Sequence, residues 1–342
     1  MWQLSKYSIN WFEDITGFFW SVTMLKKFLF MPRAFNLILV LSILILVGNA
    51  NAEVLPKHKY IDSLEIIKAE VLPKDKKEGR YFTDQPDVSN DYQIHFSYVL
   101  SLDNKDKEWD INGKMEEILK KVNDHMLKET AKHKLSNGIA QKYKYDYRAD
   151  GKLDITFIRV DKKQSKIHKY RNNYIADFFW NQKMNNPKKI YYNFVAMSSV
   201  DGGEAGVGLG STFINNKDTT ETETRVNITL HELHHAQGGG FACVPGVSSR
   251  TAHNLNQGLK TQLGHGTKLG HPYLHKVENC PQLADSVYLT PTSKKPYDPY
   301  KIGCLQDLGT YTHPKLVKLM KKKGRVGSFC NWREYIPGFK YP

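Results

Sequence analysis

Three side chains within five residues, His231, Glu232 and His235, have the types and spacing of a catalytic metal site. They belong to His-Glu-Leu-His-His, residues 231–235, just upstream of Gly238-Gly239-Gly240. On an α-helix, residues four apart lie on one face, one turn above each other. His231 and His235 can therefore offer two imidazoles to one ion. Glu232, beside the first, can take a proton from a water activated by that ion. Zinc that does chemistry takes three protein ligands and keeps one position open. A third ligand is therefore expected elsewhere in the chain. His234 occupies a variable position of the pattern and is expected at the surface or behind the ligands.

The spacing works only on a helix, and the flanking sequence supplies one. Thr220-Glu221-Thr222-Glu223 has the Ser/Thr-x-x-Glu form of a capping box. Val226, Leu230 and Leu233 are spaced to face a core, and Gly238 stands where a glycine ends a helix. The third ligand is narrowed by an absence: from Leu233 to Lys276 there is no Asp or Glu, and the first carboxylate is Glu278. A carboxylate ligand some twenty residues downstream cannot be built. His253, His265, His271 and His275 remain. His253 is favoured, because the short loop Val244–Ala252 can fold back under the helix; His265 and His271 come next.

The stretch resembles the zincin superfamily of zinc metallopeptidases, on its metzincin side, where the pattern is H-E-x-x-H-x-x-G-x-x-H followed by a Met-turn. This chain matches through Gly238 and departs at Phe241, where the family's third His stands. It also has no Met between Met197 and Met320, so the Met-turn is missing. It is more similar to a group of secreted bacterial metallopeptidase-like proteins. In these a Cys follows the motif eight residues later, then a delayed His and an Asn-Cys-x-x-Leu-Ala-x-Ser-x-Tyr-Leu block. Here those are Cys243, His253 and Asn279 to Leu289. The similarity also takes in Gln93–Leu100, Trp109–Lys114 and Leu153–Arg159, and so most of residues 90–290. It implies an α+β, zincin-like metallopeptidase fold with a mixed sheet, an active-site helix, a loop-rich disulfide-stapled C-terminal part, and zinc as the cofactor. It supplies no substrate.

The amino end carries a separate signal. Lys26, Lys27 and Arg33 precede an apolar run from Phe35 to Val47, and Ala50-Asn51-Ala52 has the form of a cleavage site. Together they read as a secretory signal peptide cut after Ala52. The run is short for a membrane span, which needs about 20 residues. Met24 and Met31 are plausible true starts. A secreted or periplasmic protein without a stable membrane span is expected. Beyond residue 52 the chain holds 45 basic and 33 acidic side chains, a net +12. That balance fits weak attraction to anionic cell-surface polymers; no nucleic-acid motif accompanies it. All four cysteines, Cys243, Cys280, Cys304 and Cys330, lie in the last third. An even count in a secreted chain argues for two disulfides. Of three pairings, Cys243–Cys280 with Cys304–Cys330 is preferred, since the first staples the loop carrying His253 beneath the helix.

Residues 53–90 are polar and read as an extended arm or short pro-like segment. The catalytic domain is expected over 91–342, with a boundary between subdomains near 240. Strands are predicted at Tyr92–Leu100, Leu153–Val160, Ile190–Ala196 and Gly206–Asn215. A helix is predicted from about Asn112 to His133, where Met115, Ile118, Leu119, Val122 and Met126 form a stripe, and another near Pro314–Lys323. Gly206-Val207-Gly208-Leu209-Gly210 looks like a phosphate loop but lacks its Lys-Ser/Thr; glycines before the active helix instead suit a strand lining the cleft. Asp106, Glu108 and Asp110 partly mimic a calcium loop, but Ile111 takes the glycine position, so a solvated turn is expected. Tyr288 could assist an oxyanion by analogy with zincins, though a core role is the plainer reading.

The expected function is peptide-bond hydrolysis by a secreted zinc metallopeptidase. Its zinc is on His231, His235 and His253, its general base is Glu232, and its partner is a peptide or protein substrate. The alternatives are a non-catalytic zincin-like binding module at the cell surface, against which the intact Glu232 argues, and a cell-wall peptide hydrolase.

Overall fold

The computed structural model describes residues 69–167, 188–196, 202–215, 220–237 and 273–298, with single positions 179, 184, 186, 217, 243 and 314. All of them fall within the unit Ile66–Pro342. The architecture is α+β. In chain order the elements are β1 (Gln93–Leu100), α1 (Lys114–Lys132), β2 (Lys142–Tyr143), β3 (Ile155–Arg159), α2 (Gln164–Ile167), β4 (Lys189–Ala196), β5 (Gly202–Gly206), β6 (Leu209–Ile214), α3 (Thr222–Ala236) and β7 (Leu289–Thr290). The signal-peptide stretch, His253, His265, His271, Cys304, Cys330 and nearly all of the expected helix near Pro314 lie outside the described residues.

Among the described residues five strands form one mixed sheet in the order β3-β1-β4-β6-β5. The first four are parallel; β5 turns back antiparallel along β6 and ends the sheet. Every residue of β1, β3 and β4 is buried, as on strands covered on both faces, and polar side chains such as His95, Arg159, Lys189 and Asn193 are buried among the apolar ones. Side chains alternate between faces along each strand. Ile94, Phe96 and Tyr98 of β1, Ile155 and Phe157 of β3, and Tyr192 and Phe194 of β4 join Met115, Ile118, Leu119, Val122 and Met126 of α1 and Val226, Leu230 and Leu233 of α3 in one buried cluster. The two helices thus share a face of the sheet. They are also tied to each other: Lys121 Nζ lies 3.0 Å from Glu223 and Lys114 Nζ donates to the Thr222 hydroxyl at 2.8 Å.

The predicted strands and helix have their counterparts within a few residues. The glycine-rich 206–210 stretch is a tight hairpin between β5 and β6, with Gly208 at φ 88°, where only glycine is unstrained. Its amide donates to the Ala236 carbonyl at 2.8 Å, satisfying one of the open carbonyls at the end of α3. Two expectations differ. The capping box does not form: α3 begins at Thr222, and its N-cap is Glu221, with no side-chain cap bond. The Asp106–Asp110 turn is not simply solvated either. Asp106 and Asp110 both clamp the buried Arg80 at 2.7 Å, and Lys77 pairs with Glu108. Residues 69–81 run beside β3, bridging Ala69 to Val160 and Tyr81 to Thr156. Asp75 there grips Arg159 with both oxygens, at 2.7 and 2.8 Å, and both side chains are fully buried.

Cys243 and Cys280 form a disulfide with Cα atoms 5.9 Å apart, the pairing preferred from sequence. Among the described residues no helix is long and apolar enough to cross a membrane.

Candidate metal centre

Helix α3 is set on the sheet by polar pins as well as apolar packing. The Thr229 hydroxyl lies 3.0 Å from that of Thr212 on β6, which lies 2.8 Å from the Tyr192 hydroxyl on β4. This chain is fully buried. Such a network is worth having only when each member is satisfied, and it fixes the rotation of α3 about its own axis. That rotation sends Leu230 and Leu233 inward and brings His231, Glu232 and His235 together along one side.

The Nε2 atoms of His231 and His235 face each other at 3.2 Å, with the rings at 82° and centroids 4.7 Å apart. Two nitrogens on a tetrahedral zinc, each about 2.0–2.1 Å from it, stand roughly 3.3–3.4 Å apart. The observed separation fits two ligands converging on one ion, so the two residues pass the test of fit. Glu232 is 6% exposed, and its Oε1 lies 4.0 Å from the His231 Nε2. Burial, with the charge of Glu204 on β5 adding to it, pushes the Glu232 carboxyl up to about 8. A cation between the two imidazoles would oppose both effects and favour the carboxylate.

Edge strand β5 passes directly over this group. A Cβ on Gly203 would stand 2.7 Å from the Glu232 Oε1 and 2.8 Å from its Cδ, closer than side-chain atoms approach. Glycines were expected to line the cleft at 206–210; the approach to Glu232 is instead made by Gly203. Gly210 has its own close neighbour in the Tyr192 ring, 2.7 Å from where a Cβ would be. The signal for Gly203 was weak in sequence, because Gly202-Gly203-Glu204-Ala205-Gly206 contains no strand former.

The remaining candidates fall as follows. His253, His265 and His271 lie outside the described residues. His275, the fourth histidine considered, has its Nε2 3.0 Å from the Pro281 carbonyl and its Nδ1 accepts from the Val277 amide. His234 is not at the surface: it is 1% exposed, with its ring 6.5 Å from that of Tyr143. Tyr288 is buried in the core against Tyr92.

A second cluster went unread in the sequence. Asp84, His95, Asp146 and Asp154 bring one ligand atom each within 4.8 Å of one another, a composition that would admit a metal ion. His95 Nδ1 lies 2.9 Å from Asp146, and its Nε2 2.9 Å from the Thr156 hydroxyl. An ammonium already stands in the group, however: Lys189 Nζ is 2.6 Å from Asp84, 2.6 Å from Asp87 and 2.7 Å from Asp146. His95, by strand alternation, lies on the sheet face opposite to Phe96 and hence to α3.

No family model matches the chain, and no curated protein matches it. Among solved structures it is similar to OgpA from Akkermansia muciniphila. The wild-type crystal structure is 13% identical with a TM-score of 0.31, the match covering 48% of this chain and 51% of that one. A second crystal form gives 14% and 0.32, covering 49% and 53%. The catalytically inactive form, in complex with an O-glycopeptide substrate (glycodrosocin), gives 12% and 0.30, covering 48% and 50%. The match thus spans about half the length of each.

Proposed function

We propose that this protein is a secreted zinc metallopeptidase of zincin-like fold, with His231 and His235 as two zinc ligands, His253 as the third, and Glu232 as the general base. The observation that carries the reading is the convergence of the two Nε2 atoms at 3.2 Å, with a buried carboxylate on the adjoining residue. Zinc bound there would supply Lewis-acid activation of a water and of the scissile carbonyl. Glu232 takes the proton from the attacking water and later delivers it to the leaving amine, so the group is regenerated at the end of the cycle. The peptide substrate lies along β5, which ends the sheet among the described residues, and pairs with it as an added strand. Residues 1–52 direct export, and the net positive charge of the remainder favours anionic cell surfaces.

Glu232→Gln tests this reading. It removes the base while keeping size and hydrogen-bonding shape. Zinc content, measured by mass spectrometry on the purified protein, should stay near that of wild type, while peptide turnover falls about 100- to 10,000-fold. Unchanged cleavage by Glu232→Gln would end the mechanism. A wild type that binds zinc and cleaves nothing would instead favour the binding-module alternative.

A further inference from the structure

Edge strand β5 crosses the candidate base more closely than any residue with a side chain would permit. We propose that Gly203 is a positioning residue for Glu232. By having no Cβ, it lets β5 lie on the Glu232 side chain and confines the carboxylate to one orientation beside the paired histidines. The inference rests on the peptidase reading and adds a residue to its machinery.

Backbone conformation is not what demands a glycine here. Gly203 lacks the positive φ of Gly208, so alanine could adopt its torsions without strain. In a strand interior glycine is, if anything, a loss, because it is entropically costly and packs nothing. What distinguishes the position is space. A Cβ there would meet Oε1 and Cδ of Glu232 at 2.7 and 2.8 Å, and its Cγ closer still. The Cγ is not a free end that can swing away. It is held close to α3, whose rotation is pinned through Thr229, Thr212 and Tyr192. On the other side, β5 is fixed by its register with β6, Gly203 opposite Thr212. Neither partner retreats without breaking something, so the contact limits the Glu232 rotamers in the native state.

The contact and its consequence are read separately by a double-mutant cycle over wild type, Gly203→Ala, Glu232→Ala and the double variant. The cycle isolates the clash because the Cβ that Gly203→Ala adds meets the Glu232 side chain only in the backgrounds that keep it. Thermal midpoint and zinc content are measured on all four full-length proteins; kcat and KM are measured on a mixed-sequence quenched-fluorescent peptide library for those with Glu232. Gly203→Ala should lower the midpoint in wild type, but leave it unchanged or raise it when Glu232 is Ala. It should keep zinc, and lower kcat about 100-fold with little change in KM, the loss expected for a catalytic group displaced by about 1 Å. An equal loss of midpoint in both backgrounds would overturn the proposal, since Gly203 would then matter for β5 alone. Thermal coupling with an unchanged kcat would overturn it too, because the contact would exist without placing the base. If wild type holds zinc but cleaves no peptide, the parent reading fails, and the thermal cycle still decides whether Gly203 holds Glu232.

Discussion

Among the described residues, two groups that set histidine beside carboxylate lie on opposite faces of one sheet, with opposite results. On α3 two imidazoles oppose each other at 3.2 Å beside Glu232. On the far face His95 meets Asp84, Asp146 and Asp154, but the Lys189 ammonium is bonded into the same group. A cluster of metal-ligating side chains can take an ion only where its donor atoms are not already engaged by another cation. Lys189 is bonded to Asp84, Asp87 and Asp146 together, so the second cluster is a buried ion-pair network. Networks of that kind cost desolvation on each member and are strongly destabilised when one is removed. The first region leaves two imidazoles facing each other, while the second holds β1, β4 and the segments around Asp84 and Asp146 together.

The sharpest way to break this contrast is to remove one member from each side. His231→Ala should weaken zinc by more than about 100-fold, since changes merely outside the ligand shell already cost 10–100-fold. Asp146→Asn should leave zinc stoichiometry as it was, while lowering stability by about 3–5 kcal/mol, because it leaves Lys189 and His95 short of a buried partner. Zinc titration and denaturant unfolding of the two variants would show it. Loss of zinc in Asp146→Asn would mean the metal sits on the far face.

Removing the ammonium sharpens the same point. Lys189→Met leaves Asp84, Asp87 and Asp146 without their shared cation, and should cost about 3–5 kcal/mol. Because the carboxylates remain clustered, millimolar calcium or manganese should recover part of the thermal midpoint in Lys189→Met and none in wild type. A variant indifferent to added cations would show that the cluster's geometry depends on Lys189 itself.

Much of the fold was legible before the structure, and the pattern of success has a physical reason. The stripe Met115, Ile118, Leu119, Val122, Met126 and the runs at β1, β3 and β4 are local periodicities, written within one element. The His-Glu-x-x-His spacing is local too, and so is the proximity of Cys243 to the active helix. What escaped notice is non-local. Lys189 and Asp84 are 105 residues apart and Asp75 and Arg159 are 84 apart, so no spacing announces either pair. Strand β5 was missed because it is defined by what it must fit over, not by residues that favour strands. For His234 the motif left open a place at the surface or one behind the ligands; packing near Tyr143, from another element, decides its burial.

A smaller effect separates the far cluster's members from each other by pH. Burial, which outweighs the nearby His95, pushes the Asp154 carboxyl from 3.8 up to about 6, with Asp146 and Asp84 adding to it. The folded state therefore holds this proton more tightly than the unfolded chain. The resulting stability is fully present below the unfolded value near 3.8 and is lost as pH rises through about 6. Asp146 is the reverse. Despite burial, its bonds to His95 and Lys189 hold it below its ordinary value, so its contribution is present at neutral pH and lost as pH falls. Asp154→Asn should accordingly stabilise the protein above pH 6, by on the order of 2 kcal/mol, and have little effect below pH 4. Thermal midpoints of Asp154→Asn and wild type at pH 4, 6 and 8 would read the sign, and a penalty that grows with pH would reverse the assignment.

The smallest effect concerns α3 alone. Its N-cap is the exposed Glu221, whose side chain makes no cap bond. Aspartate has the length to accept from the second or third amide of the helix and keeps the negative charge that the helix N-terminus favours. Glu221→Asp should add about 0.5–1 kcal/mol, raising the midpoint by roughly 1–4 °C. The cap is ten residues from His231, about 15 Å at 1.5 Å per residue. If α3 is already held in place by Thr229, Thr212 and the core, the added stability should appear without any change in zinc affinity. Zinc affinity that rises with the cap would mean that the ligand turn is ordered by helix propensity as well as by the sheet beneath it. The metal face would then be the softer of the two regions, and the ion-pair cluster across the sheet the anchor against which it is built.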